Sequence, residues 1–248
     1  MFDKTISFIA CKEYIEFTEI KPEPSKLNIP KWYKDLDHHV EIRTIKGCMP
    51  FLDTLTTGYI LKLPVDYYIC HNVIKDNERV MVGRSDVQPT IENNITKNIN
   101  VNPNYPQYHR IDQLGKECPF IKKNKDLPFH KILNPWIIKT PPGYSCLFIP
   151  PMNNADDRFS IIPGIVDTDT YHKEINFPII VNGDKYPVLE TILKLGTPYV
   201  QVIPFKRDQW KMKIETLDKK EYDKNDLSLH SKVINKYKTT WWHKKSWK

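Results

Sequence analysis

Glycine is scarce, with 8 residues in 248, while proline reaches 20. Proline lacks an N–H and fixes φ, so it interrupts helices and central strands. The chain is therefore expected to be cut into short elements joined by fixed turns. Paired cysteines are also missing. The five cysteines, at 11, 48, 70, 118 and 146, are odd in number and widely spaced, and no CxxC or CxxH pair occurs. That excludes a zinc site of the usual spacing and argues against a secreted disulfide scaffold. No apolar run reaches membrane-spanning length, so no membrane span is expected. The start, Met1-Phe2-Asp3-Lys4, lacks the apolar stretch of a signal peptide, and the expected location is cytoplasmic.

What is present suffices for a packed core: 40% of residues are hydrophobic and 12% aromatic, unlike a disordered chain. The formal charge of +7 fits a solvated surface, or contact with nucleic acid, anionic membrane or an acidic protein.

The pattern predicts a mainly β fold in three parts. Residues 1–57 read as N-terminal strands over 5–20, a stiff linker at Lys21-Pro22-Glu23-Pro24-Ser25, and a short helix taking Pro30 in its first turn. Residues 58–218 read as an antiparallel β core. It comprises a hairpin over 58–82, an irregular Asn/Pro-rich insertion at 85–130, and strands from 134 onward. Asn182-Gly183 is a tight-turn signal. Pro178 marks its strand, 174–181, as an edge or a bulge. Trp210, Met212 and Ile214 alternate with Lys211, Lys213 and Glu215, the period of a half-buried strand. Residues 219–248 read as a helix, starting near Asp226, and a basic aromatic tail.

Four patterns in order resemble the β-clip fold of trimeric dUTPases and dCTP deaminases. They are Pro142-Gly143-Tyr144 with Leu147 to Pro150, Gly164-Ile165-Val166-Asp167 with Tyr171, Asn182-Gly183, and Gly196 with Gln201. The resemblance implies a β-clip or jelly-roll-like core. It also implies Asp167 as the base that activates water, Tyr171 and Gln201 as substrate-binding residues, and Mg as the cofactor. The family's phosphate motif, P-R-S-G, falls at Pro150-Pro151-Met152-Asn153, which has neither its Arg nor its Ser. Its second Arg falls at Pro198. Phosphoryl chemistry depends mostly on positioning and charge neutralisation, so a base without its cationic clamp is feeble. Asp167 is then expected as a turn residue in Val166-Asp167-Thr168-Asp169 that caps its own backbone. The chain also resembles an uncharacterised bacteriophage family, through Ile29 to Lys34, Asn134 to Tyr144, Val166 to Tyr171 and Gly196 to Arg207. That resemblance implies a viral source, hence host cytoplasm or a virion.

His38, His39, His71, His109 and His172 invite a metal reading, and His172-Lys173-Glu174 is an H-x-E pair, but no distal His follows at jelly-roll spacing. The expectation is no metal. Val82-Gly83-Arg84-Ser85 is too poor in glycine for a phosphate loop. The tail from Lys232 to Lys248 holds six Lys and three Trp. Trp241, Trp242 and Trp247, with Lys244 and Lys245, could grip single-stranded nucleic acid, lie on a membrane surface, or dock on protein. The leading expectation is a non-enzymatic binding or assembly protein without a cofactor, with a protein partner or self-association. A divergent dUTPase-type nucleotide-binding protein or hydrolase comes second, and a single-stranded nucleic-acid binder third.

Overall fold

The computed structural model describes residues 4–39, 41, 44–72, 77–82, 108–109, 111–115, 117–125, 127, 129–154, 156–230 and 236–248. The chain divides into two compact units, Met1–Glu23 with Gly58–Lys206, and Pro24–Thr57 with Arg207–Lys248.

The first unit is mainly β. Its strands are β1 (Ser7–Ile9), β2 (Glu23–Pro24), β3 (Tyr59–Lys62), β4 (Tyr67–Asn72), β5 (Asn77–Val82), β6 (Tyr108–His109), β7 (Phe129–Ile132), β8 (Ile137–Lys139), β9 (Tyr144–Ile149), β10 (Phe159–Ile161), β11 (Gly164–Val166), β12 (Phe177–Val181), β13 (Val188–Leu193) and β14 (Pro198–Lys206). They form sheets in the orders β1-β8, β10-β12-β7-β6, β11-β9-β14-β3-β2 and β13-β4-β5. The pairings with a described register are antiparallel. One core cluster draws on all four sheets. It includes Leu61, Ile69, Ile132, Ile138, Phe148, Ile161, Ile179, Leu193 and Val202. Alternation along each strand sends these side chains to one side of the backbone, which is why period-two segments were readable as strands.

Several local expectations change. Lys12–Phe17 forms a helix, α1, and not a strand; Tyr14 alone of its residues is buried, packed edge-on against Trp136. The expected hairpin over 58–82 is split at Pro64. β4 pairs with β5, whereas β3 joins another sheet beside β14. β12 is an interior strand, not an edge, and it holds Pro178. Pro178 is tolerated because β10 ends its pairing at Ile161, opposite Ile179, and beyond that point the Pro178 carbonyl simply accepts from Ile162 N–H at 2.9 Å. Within the expected insertion, residues 83–107 lie outside the described residues. Farther along, β6, α4 (Pro119–Lys123) and β7 are regular, and Ile121 and Phe129 pack with Ile180. Asn124 joins these elements: its amide donates to Leu127 O at 2.9 Å and its Oδ1 accepts from Val181 N–H at 2.8 Å.

Asn182-Gly183 does open a tight turn, with the Asn182 carbonyl accepting from Tyr186 N–H at 2.8 Å. Gly183 is needed for close approach: a Cβ there would lie 3.0 Å from the Lys123 carbonyl oxygen. Gly58 is more constrained, with φ +72° and a hypothetical Cβ 2.1 Å from Val202 O.

The second unit is helical and irregular. It contains α2 (Lys31–Asp35), α3 (Met49–Thr56), α5 (Lys219–His230) and α6 (Lys236–Thr240). Pro30 sits at the cap of α2, one position before the expected first turn. Tyr33 stacks on Phe51 of α3 at 5.7 Å. The C-terminal helix is present but begins at Lys219. Asp218 Oδ1 accepts from Lys220 N–H at 2.9 Å and Glu221 N–H at 3.3 Å, an N-cap the apolar pattern did not reveal. Residues 207–218 form no strand, contrary to the alternation read there.

Tyr199 is 1% exposed and its hydroxyl has no hydrogen-bond partner. Burial pushes its ionisation well above the ordinary tyrosine value, with the Tyr67 and Tyr14 phenols adding to the effect. A raised folded pKa stabilises the fold below the unfolded value of about 10, and that stability is lost as pH rises through the folded value. Tyr199→Phe should therefore leave stability at pH 7 unchanged or raise it by about 1 kcal/mol, and should flatten the loss above pH ~10. Denaturant melts at pH 7 and above pH 10 check this; a clear loss at pH 7 would mean that the hydroxyl has a partner.

Candidate functional site

The residues singled out in the β core fall into two clusters at the two ends of β9. At its start, the turn after β11 carries Asp167, Asp169 and Tyr171. Tyr171 N–H and Thr170 N–H donate to the Asp167 carbonyl, at 2.9 and 3.1 Å, closing the turn. The Asp167 side chain is exposed and accepts from Ser145 Oγ at 2.6 Å. Asp167 thus opens a turn, as expected, and also ties that turn to β9. Asp169 Oδ2 accepts from Gly143 N–H at 2.8 Å. Gly143 has φ +82°, so Pro141-Pro142-Gly143 is a turn that favours glycine at this point. Beneath it, Thr140 and Thr168 hydroxyls meet at 2.7 Å, and Thr168 Oγ1 also donates to Cys146 Sγ at 3.3 Å. Burial pushes the Cys146 thiol up to about 11, so it is a packed thiol and not a ready nucleophile. Tyr171 is 44% exposed.

At the far end of β9, Gln201 lies opposite Ile149 in the ladder and is 1% exposed. Its Oε1 accepts from Met152 N–H at 2.9 Å. Gln201 therefore holds the turn that replaces the P-R-S-G motif. Beside this turn is a cavity of about 220 Å³, whose walls include Lys123, Asn153, Asp156, Asp157, Phe159 and Ser160. Two carboxylates stand at it. Arg158 grips Asp156 through Nε and Nη2, at 2.9 and 2.8 Å, and holds that carboxyl below its usual range. Its remaining Nη1 donates to Thr191 Oγ1 at 2.8 Å. Asp157 is likewise held low by Lys185 and Tyr186, at 2.5 and 2.7 Å. Arg158 is thus committed to neighbours on three of its nitrogens. The sequence reading missed this cavity; the polar run Asn153-Asn154 with Asp156-Asp157 between two strands was the available signal.

The clusters do not meet within one chain. Ser145 and Ile149 are four residues apart on one strand, about 13 Å at ~3.3 Å per residue. Asp167 is anchored at one and Gln201 at the other.

The basic tail belongs to the second unit. Trp241, Trp242 and Trp247 are half-buried, while Lys244 and Lys245 are exposed. Trp242 Nε1–H donates to both oxygens of Asp53 on α3, at 3.1 and 3.2 Å, and Lys245 reaches Asp53 Oδ2 at 2.6 Å. The Lys245 ammonium also lies 5.7 Å from the Trp242 ring centre. Of the histidines, His172 bonds the Asp169 carbonyl at 3.1 Å and His109 bonds Gln113 Oε1 at 3.1 Å. Among the described residues no three His, Cys, Asp or Glu side chains converge as metal ligands. Among them, too, no helix is long and apolar enough to cross a membrane. Gly83, Arg84 and Ser85 lie outside the described residues.

No protein-family model matches the chain, and no curated protein matches it either. Among solved structures, a mutant dUTPase from phage phi11 of S. aureus is similar at 15% identity and TM-score 0.26, over 38% of this chain and 74% of that one. A mutant dUTPase of Staphylococcus bacteriophage 80alpha with dUpNHpp gives 14% identity and TM-score 0.27, over 37% of this chain and 66% of that one. This is a weak, partial likeness of fold.

Two outcomes are expected here. Gln201→Leu should free the Met152 amide, cost about 1–2 kcal/mol, and speed amide exchange across 150–154. Unchanged exchange there would remove Gln201 as the holder of the turn. Truncation after Thr239 should lower the melting temperature by a few degrees, because the three half-buried tryptophans and the Asp53 bonds go with it. An unchanged melt together with lost, salt-sensitive binding of single strands would instead make the tail a nucleic-acid grip.

Proposed function

We propose that this chain is a non-enzymatic binding or assembly protein, from a bacteriophage by the motifs at 29–34, 134–144, 166–171 and 196–207, on a β-clip or jelly-roll-like core. One observation carries the reading: Asp167 and the Gln201-held turn stand at opposite ends of β9. A single copy therefore offers no place where a base and a phosphate cradle face one substrate, and a site shared between copies would still have Pro151 and Met152 where the motif has its Arg and Ser. The cradle itself supports the same reading. At the place of the P-R-S-G motif it offers Pro151 and Met152, and the nearby Arg158 is engaged by Asp156 and Thr191, which leaves Lys123 as the cation on the cavity wall. A triphosphate placed there would meet two carboxylates, Asp156 and Asp157, against one lining cation, Lys123. Contact function then falls to exposed surfaces, including the aromatic tail.

The Gln201–Met152 bond favours a second reading, a divergent nucleotide-binding protein or pyrophosphatase of the dUTPase type. Such a protein would need Asp167 from one copy and the Gln201 turn from another, with Mg to hold the phosphates.

The two readings separate by turnover. With magnesium present, hydrolysis of dUTP and dCTP by the wild-type chain should be no faster than by Asp167→Ala. Turnover at least tenfold above that control would establish the second reading in place of the first.

A further inference from the structure

After β14 ends at Lys206, the chain runs to Asp218 in neither strand nor helix. This arm holds the three most exposed large apolar side chains described, Trp210 at 91%, Ile214 at 87% and Met212 at 85%, followed by Leu217 at 73%. Trp210, Met212 and Ile214 alternate with Lys211, Lys213 and Glu215, so an extended backbone gives the arm one apolar and one charged face. Water-soluble surfaces rarely leave a contiguous stripe of this kind uncovered.

The same chain carries a matching edge. β13 is the outer strand of its sheet, and no described strand pairs with its far side. Its register is fixed from within. Leu193 is fully buried and Leu189 packs on the core; Thr191 is held by Arg158, and the Leu195 N–H next to it donates to Asp66 Oδ1 at 2.6 Å. Outward it presents Val188 at 52% exposure, Glu190, Ile192 at 38% and, just beyond, Leu195 at 50%. β13 has six residues, and so has Trp210–Glu215. An edge with no described partner strand and an alternating segment of equal length outside any strand are the two halves of strand addition.

We propose that residues 207–218 of one copy of this chain add as a strand to the outer edge of β13 in a second copy, so that the chain assembles by exchange of arms. The occupant is a second copy because each chain supplies one arm and one edge in equal number, and because the area suffices. The three apolar side chains of that face expose on the order of 550 Å² per arm, so a reciprocal exchange covers about 1,100 Å² of arm alone, above the roughly 1,000 Å² that a specific interface needs. The proposal rests on the assembly reading above and names its partner.

The test uses the full chain and sedimentation velocity over a hundredfold concentration range. Wild type should associate. Trp210→Ser with Met212→Ser and Ile214→Ser should weaken association at least tenfold without changing the melting temperature, since these side chains are solvent-exposed. Ile192→Lys, outward on β13, should do the same. Mixing the arm variant with the edge variant should restore a heterodimer, because one intact arm then meets one intact edge. A wild-type chain that stays monomeric, or association untouched by both variants, rejects the exchange. Turnover of dUTP above the Asp167→Ala control rejects the reading beneath it, so the two failures are distinct.

Discussion

The pairing of β14 with β9 and β3 governs the first unit. β14 runs nine residues through the centre of a five-stranded sheet, with Gln201 opposite Ile149 and Lys206 opposite Tyr144. Because side chains alternate with period two, a one-residue slip would turn Val200 and Val202 out of the core. Gly58 is held to the same register, since its φ of +72° lets the start of β3 pass against the Val202 carbonyl. Fixing that register fixes the candidate chemistry as well. It seats Gln201 under the 150–154 turn and leaves Asp167 at the other end of β9.

Polar groups inside this unit are mostly assigned structural work. Asn124 stitches α4 to β12, Asn134 bonds the Trp136 backbone, and the Thr140–Thr168 pair closes the base of the turn that holds Asp167. Each satisfies a buried donor or acceptor that would otherwise cost about 1–3 kcal/mol. The charged residues near the cavity follow the same logic, with Asp156 and Asp157 matched to Arg158 and Lys185. Charges neutralised in this way have little left to offer an anionic substrate.

The mainly β class, the boundaries of β9 and the turn at Asn182-Gly183 were legible because alternation and turn chemistry are local signals. The helix Lys12–Phe17 was not, since a segment of six residues satisfies either period and its state is decided by Tyr14 meeting Trp136. The interior place of β12 was hidden by Pro178, whose cost depends on where β10 happens to end. The arm was misread for a different reason. Its alternation is real, but alternation states which face could be buried and not whether anything covers it. Asp167, Tyr171 and Gln201 were each placed in the right kind of local structure, a turn or a strand. Their separation across β9 followed only from the ladder, which is non-local information. The roles of Asp53 for the tail and of Arg158 beside the cavity, 189 and 33 residues from their partners Trp242 and Thr191, carried no local signal at all.

On the proposed function, this chain works through contact surfaces and has no nucleotide site of its own. A calorimetric titration of the full chain with dUTP and magnesium tests it most directly. No saturable heat is expected up to millimolar nucleotide, because Asp167 lies at one end of β9 and the turn at the other end lacks the Arg and Ser of the phosphate motif. Saturable binding at micromolar dUTP, lost in Asp167→Ala, would contradict it.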